Sequence, residues 1–189
     1  FSTDLFVKSF GSEEKALEAM EYMRGEVRKA GFPDMHYMMM DGGGFPYNEK
    51  NKERVDKRMF LKPDSWALYN MGGFDPDYMK HCQTAMDFRA DWDEYMDIPV
   101  FPTVSIGWDD TPRFPAKGEN DVTRFNHSPE AFKNYLFEAK KYADEHPQQP
   151  KFVMINAWNE WVEGSYLLPD KYWGYAWLEA VRDVFGPVE

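Results

Sequence analysis

The chain has a single cysteine, Cys82, among its 189 residues. An internal disulfide is therefore impossible, and a thiolate metal cage is excluded. The sequence also lacks any apolar run near the roughly 18 residues that a membrane-crossing helix requires, and it lacks the charged start and apolar stretch of a signal peptide. It begins at Phe1 rather than methionine. We therefore expect an N-terminal part to precede it, where any signal for export to the periplasm or cell surface would lie. Basic surface is lacking as well: 22 Lys and Arg against 33 Asp and Glu leave a formal charge of -11. That charge repels phosphate backbones, and no basic cluster offsets it, so nucleic acid is not an expected partner. His36, His81, His127 and His146 show no ligand spacing of the H-E-x-x-H kind, so neither metal nor cofactor is expected. The glycines of the DGGGFP segment after Asp41 lead into no helix or lysine that would complete a phosphate loop.

Aromatic residues, in contrast, are abundant. Seven Trp, 11 Tyr and 15 Phe make up 17% of the chain, and many stand beside Gly, Asn and Asp rather than in helical stripes. Flat rings next to polar groups suit the faces of sugars. With 43% hydrophobic residues, the length fits one domain with a sizeable core.

Periodicity gives an alternation of strand and helix. Ser12 caps a helix predicted from about Glu13 to Ala30, with Ala16, Met20, Met23, Val27 and Ala30 on one stripe. The apolar run His36 to Met40 reads as a buried strand ending at Asp41. A long loop over about 42 to 64 follows, whose charged stretch Asn48 to Arg58 is an alternative short helix. Ser65 to Asn70 is a second strand, and about Asp75 to Met96 a second long helix with Pro76 at its start. Ile98 to Ile106 is a third strand, Ser128 and Pro129 open a helix to about Glu145, and Phe152 to Trp158 is a fourth strand. A last helix is predicted from about Lys171 to Phe185, stopped by Gly186 and Pro187.

Near-continuous apolar strands separated by helices predict an α/β fold with a parallel sheet. The chemically rich segments all follow strands, which is where a (β/α)8 TIM barrel builds its active site. Four units make half a barrel, and a whole one takes about 250 residues, with 200 near the lower limit. The expectation is a single domain spanning residues 1 to 189 that supplies the C-terminal four β/α units. The other half would come from a missing N-terminal part or from a second copy in a homodimer.

After the fourth strand comes WNEWVEG. Glu160 and Glu163 are three apart, so a helical turn would project both carboxylates to one side, about 5 to 6 Å from each other. An isolated E-x-x-E is more often a solvated acidic turn. Here Trp158, Asn159 and Trp161 flank the pair at a strand end, and the expectation becomes an acid and base pair whose flanking residues bind substrate. One strand earlier, Trp108, Asp109, Asp110 and Arg113 offer a stacking platform, hydroxyl acceptors and a cation. Asp110 and Arg113 read equally well as a pair tying the loop. Tyr69 and Asn70 could face the same mouth, although a tyrosine anchored on the rim is an equal reading, and Asp41 has the same address.

The residues AWNEWVEG, the following LLPD and GYAWLEA, and the preceding GWDDTPR together resemble the WbsX-like group related to glycoside hydrolase family 99, over roughly the last half of the chain. The resemblance implies a (β/α)8 barrel acting on α-mannosides within an oligosaccharide or polysaccharide, with retention of configuration. It implies Glu160 as the base that deprotonates the sugar 2-hydroxyl to give a 1,2-anhydro intermediate, and Glu163 as the acid that protonates the leaving oxygen. Val162 stands where the family's endo-mannosidases carry His, and Leu168 where Glu commonly precedes Pro. Members of the WbsX-like group are often called glycosyltransferases, so transfer and noncatalytic sugar binding are the alternatives.

Overall fold

The computed structural model describes residues 3–41, 49–70, 75–115 and 125–187. The glycines after Asp41 lie outside these ranges. The elements are α1 (Thr3–Phe10), α2 (Glu13–Lys29), β1 (Met38–Asp41), α3 (Glu49–Met59), β2 (Ser65–Leu68), α4 (Tyr78–Tyr95), β3 (Val100–Phe101), β4 (Thr103–Ser105), α5 (Pro129–Glu145), β5 (Met154–Asn156), β6 (Asn159–Glu160), a 3-10 turn (Trp161–Glu163), β7 (Ser165–Tyr166) and α6 (Ala176–Phe185).

Parallel pairing runs in chain order. β1 lies beside β2 with Met38 opposite Ser65, and β2 beside β3 with Trp66 opposite Val100. β4 lies beside β5 with Ser105 opposite Asn156. The expected third strand is thus two segments broken at Pro102, which has no N–H for the ladder. The Pro102 carbonyl still accepts from Met154 N at 2.9 Å, and Thr103 Oγ1 donates to Leu68 O at 2.7 Å. The same line of chain therefore meets β2 with its first half and β5 with its second. No reversal of strand order, such as a doubly wound sheet requires, occurs among the described residues.

Pro102 also marks the boundary between two apolar clusters. Met20, Met39, Leu61, Trp66, Trp92 and Val100 fill one, where the rings of Trp66 and Trp92 stack with centroids 6.2 Å apart. Tyr78, Val104, Ile106, Phe132, Leu136 and Trp177 belong to the other. Fully buried rings of this size carry about 3 to 5 kcal/mol each against truncation.

Local chemistry sets the helix ends. Ser12 caps α2 by accepting from Lys15 N, as its position in the sequence implies. Ala16 and Met20 of the expected stripe are buried, whereas Met23 and Ala30 are exposed. Between them Arg24 turns inward and donates to Met35 O at 2.5 Å and to Asp64 at 2.6 Å, tying α2 to the chain ahead of β1 and β2. The charged stretch after residue 48 is helix α3, because Val55 and the Met59 region pack into the first cluster. Helix α1 was not legible in the sequence. It is short, and its docking depends on Phe6 and Val7 meeting that same cluster. Helix α4 starts at Tyr78 because Asp77, not Pro76, supplies the cap, accepting from Met79 N and Lys80 N. Helix α6 begins at Ala176, later than predicted, because Asp170 Oδ1 accepts from Tyr172 N and Trp173 N and folds 170–174 into a separate turn.

Candidate active site

Because the strands are parallel, their C-terminal ends deliver Asp41, Tyr69, the 106–113 loop and the 157–164 loop to one edge of the sheet. The last of these loops forms the short hairpin of β6 and β7, with Glu160 opposite Ser165, and the 3-10 turn at its tip. In a 3-10 turn, side chains three apart lie over one another. That eclipsing brings Glu160 and Glu163 to the same side.

Both carboxylates reach one guanidinium. Arg113 Nη1 donates to Glu163 Oε1 at 2.5 Å, and Nη2 to Glu160 Oε1 at 3.1 Å. Glu163 is buried, with its side chain 8% exposed, whereas that of Glu160 is 34% exposed. The second oxygen of Glu163 accepts from the Tyr69 hydroxyl at 3.0 Å. Burial first, then the facing Glu163 carboxylate, raises Tyr69 above the ordinary phenol value, so it remains a donor at neutral pH. The Asn156 side chain also hydrogen-bonds Tyr69, and Ser105 Oγ donates to Asn156 Oδ1 at 3.3 Å. The ends of β2, β4 and β5 and the loops that follow β4 and β5 thus contribute to one connected polar network.

Gly164 fixes the hairpin against the neighbouring loop. Its φ is +62°, and a Cβ there would come within 3.0 Å of Asp109 Cβ and 3.1 Å of Asp109 N. Only glycine fits both conditions. The close approach lets Asp109 N donate to Glu163 O at 2.8 Å, which sets the height of the buried glutamate. On the other side, Gly107 packs against the ring of His127, which stacks on Trp177 with centroids 5.0 Å apart. Burial lowers the His127 proton affinity.

The expected site residues divide clearly. Glu160, Glu163, Arg113 and Tyr69 converge. Asp109 meets the site through its backbone, while its carboxylate accepts from Thr111 N and Oγ1 and closes a local turn. Asp110 is buried, its carbonyl accepting from Arg113 N at 3.0 Å, so it shapes the loop that carries the arginine. Trp108 and Asn70 are half-buried at the ends of the neighbouring strands. Asn159 is exposed on β6, and Trp158 and Trp161 are 57% and 47% exposed. Trp161 stacks on Tyr166 at 4.0 Å between centroids, leaving a flat apolar face beside the glutamates. Asp41 pairs instead with Arg58 of α3, at 2.6 Å. Asn156 and Tyr166 were missed by sequence reasoning, which had Gly164 only as part of the WNEWVEG motif. A polar Asn closing an apolar strand was the available signal for the first.

Residues 9–181 match the family described as "Glycosyltransferase WbsX". An 87-residue stretch, 46% of this chain, is 39% identical to the "Uncharacterized protein WxcX" of two strains of Xanthomonas campestris pv. campestris, and it spans 12% of those relatives' length. A solved structure described as a "Glycoside hydrolase-like protein" superposes with a TM-score of 0.64 at 17% identity, over 91% of this chain and 50% of that one. That likeness is one of fold.

Proposed function

The chain belongs to the glycosyltransferase WbsX family, and from that premise we propose that it is the catalytic part of a carbohydrate-active enzyme that hydrolyses α-mannoside-like polysaccharide linkages with retention. The observation that carries this reading is the joining of Glu160 and Glu163 by Arg113 beside the exposed faces of Trp158 and Trp161.

In the first step Glu160 removes the proton of the sugar 2-hydroxyl. O2 closes on C1, the bond from C1 to the leaving oxygen breaks, and Glu163 protonates that oxygen. In the second step Glu163 takes a proton from water as the water oxygen attacks C1, and Glu160 returns its proton to O2 as the three-membered ring opens. Two inversions give net retention, and the carboxylates end as they began. Before the first step the substrate displaces the Tyr69 or Arg113 contact on Glu163, which frees that carboxyl group to face the leaving oxygen.

The strand arc supports a half-barrel. Among the described residues β1 and β5 each pair on one edge only, and the solved relative is about twice as long in coverage. Further strands from a longer chain or a second copy would complete the rim.

The family description favours a second reading, transfer from a nucleotide sugar. Two D-x-D triplets occur, Asp75-Pro76-Asp77 and Asp91-Trp92-Asp93. In the first, Asp77 is committed to capping α4, and Asp75 Oδ1 accepts from Asp77 N at 2.8 Å. In the second, Trp92 is buried in the core. Among the described side chains, neither triplet joins the glutamate network. The deciding experiment incubates the full-length protein with mannose-containing polysaccharides, with and without sugar nucleotides. Saccharide release without a nucleotide, lost in Glu163→Gln, is expected; product that forms only with a sugar nucleotide overturns hydrolysis.

A further inference from the structure

Away from the glutamates, helices α4 and α5 leave between them a groove of about 220 Å³. Arg89 of α4 forms its floor, with Glu138, Lys141, Tyr142, Glu145 and His146 around it. Arg89 is only 8% exposed. A guanidinium carries its charge throughout the physiological range and has five N–H donors, and a buried one is ordinarily matched to a carboxylate. Here no carboxylate lies within ion-pair distance among the described residues.

Its two contacts are neutral. Nη2 donates to the Tyr135 hydroxyl at 3.2 Å, and the guanidinium carbon lies 4.9 Å from the centre of the Tyr142 ring. Complete burial pushes Tyr135 far above the ordinary phenol range, so it does not supply the missing negative charge. The π face of Tyr142 offsets part of the desolvation, but it satisfies no N–H. Tyr142 is held in turn by the ring of His146, whose centroid is 4.0 Å away. The floor is therefore a fixed cation with spare donors under an open groove.

The walls limit what can fill it. Lys141 adds a second positive charge, and the exposed carboxylates of Glu138 and Glu145 add two hydrogen-bond acceptors. A bare anion would meet the cations and be repelled by the acids. A ligand that brings hydroxyls along with its charge would satisfy both. We propose that this groove is a second ligand site, separate from the glutamate pair, that takes a small hydroxylated molecule bearing one carboxylate or phosphate, as an acidic sugar unit does. The oxyanion sits on Arg89 and Lys141, and the hydroxyls donate to Glu138 and Glu145.

Isothermal titration of the full-length protein with glucuronate and with glucose 6-phosphate, and with glucose as the neutral control, tests this. Saturable binding of either anion, with glucose inert, is expected, and the stronger of the two identifies the oxyanion. Arg89→Gln should abolish the binding. Lys141→Ala, on the exposed face of α5, should weaken it about tenfold without disturbing the fold. Arg113→Ala should leave it unchanged. Failure of both anions to bind overturns the proposal. So does binding that survives Lys141→Ala at full strength, or binding that disappears in a folded Arg113→Ala, which would locate it at the glutamates.

Discussion

Two buried carboxylates at opposite ends of the strand arc each hold an arginine, and among the described residues further polar groups converge on one of them. Asp41 closes β1 at 1% exposure and pairs with Arg58 of α3 at 2.6 Å. Glu163 follows β5 at 6% exposure and pairs with Arg113 at 2.5 Å. By burial, charge and distance the two are near equals. The difference lies in company. Arg113 also holds Glu160, and Tyr69 and Asn156 extend the network, while Trp158 and Trp161 expose their faces nearby. At Asp41 the ion pair ties a helix to the strand it follows. A strand-end carboxylate therefore marks a candidate; convergence of further groups on it marks a site.

Mutations at the two ends should separate in kind. Glu163→Gln is expected to lower turnover roughly a thousandfold, with little change in melting temperature, because proton transfer by one positioned group contributes about that much and Arg113 remains 40% exposed to water. Steady-state rates and thermal unfolding on the same sample check both halves of this. Asp41→Ala should do the reverse, costing about 3 kcal/mol of stability in chemical denaturation, since it removes a buried carboxylate and its 2.6 Å bond to Arg58 of α3. Equal losses of activity in the two variants would erase the distinction. Gly164→Ala comes next, at about 2 kcal/mol, because its φ of +62° and the 3.0 Å approach to Asp109 both oppose a side chain. It should also lower activity by shifting Glu163. Tyr69→Phe removes one hydrogen bond to a carboxylate and should cost about 1.5 kcal/mol.

The smallest expected effect is one of pH. Burial lowers the His127 proton affinity from its ordinary value of 6.5. The unfolded chain therefore takes up that proton first as pH falls, so the stability this neutral ring contributes is present above pH 6.5 and declines below it, down through the lowered folded value. His127→Gln should flatten that part of a stability profile. Tyr69 has the opposite sense. Its raised value keeps its bond to Glu163 intact below the ordinary phenol value of 10.0, and the bond is lost as pH rises through the raised one.

Much of this was legible in the sequence because the signals were local. Ser12 and Ser128 read as caps and are caps, and the alternation of apolar strands with helices is the observed order. The break at Pro102 and the late start of α6 depended on hydrogen bonds that only the folded chain makes. At the site, the spacing of Glu160 and Glu163 announced their shared direction. The roles in GWDDTPR did not follow from composition: Asp109 and Arg113 are both loop residues of a suitable type, yet Asp109 spends its carboxylate on Thr111 while Arg113 crosses to the next loop. Contacts separated by 50 positions have no periodic signature. Arg89 illustrates the same limit, since a helical arginine shows no sign in sequence that its carboxylate is missing.

The central claim is that Glu160 and Glu163 together perform retaining hydrolysis, and the anomeric configuration of the first product tests it most directly. Proton NMR of the full-length protein acting on its polysaccharide, recorded before mutarotation, should show the α-anomer released first, and roughly a thousandfold slower release from either Glu160→Gln or Glu163→Gln. Initial release of the β-anomer, or normal turnover in either variant, would contradict the account.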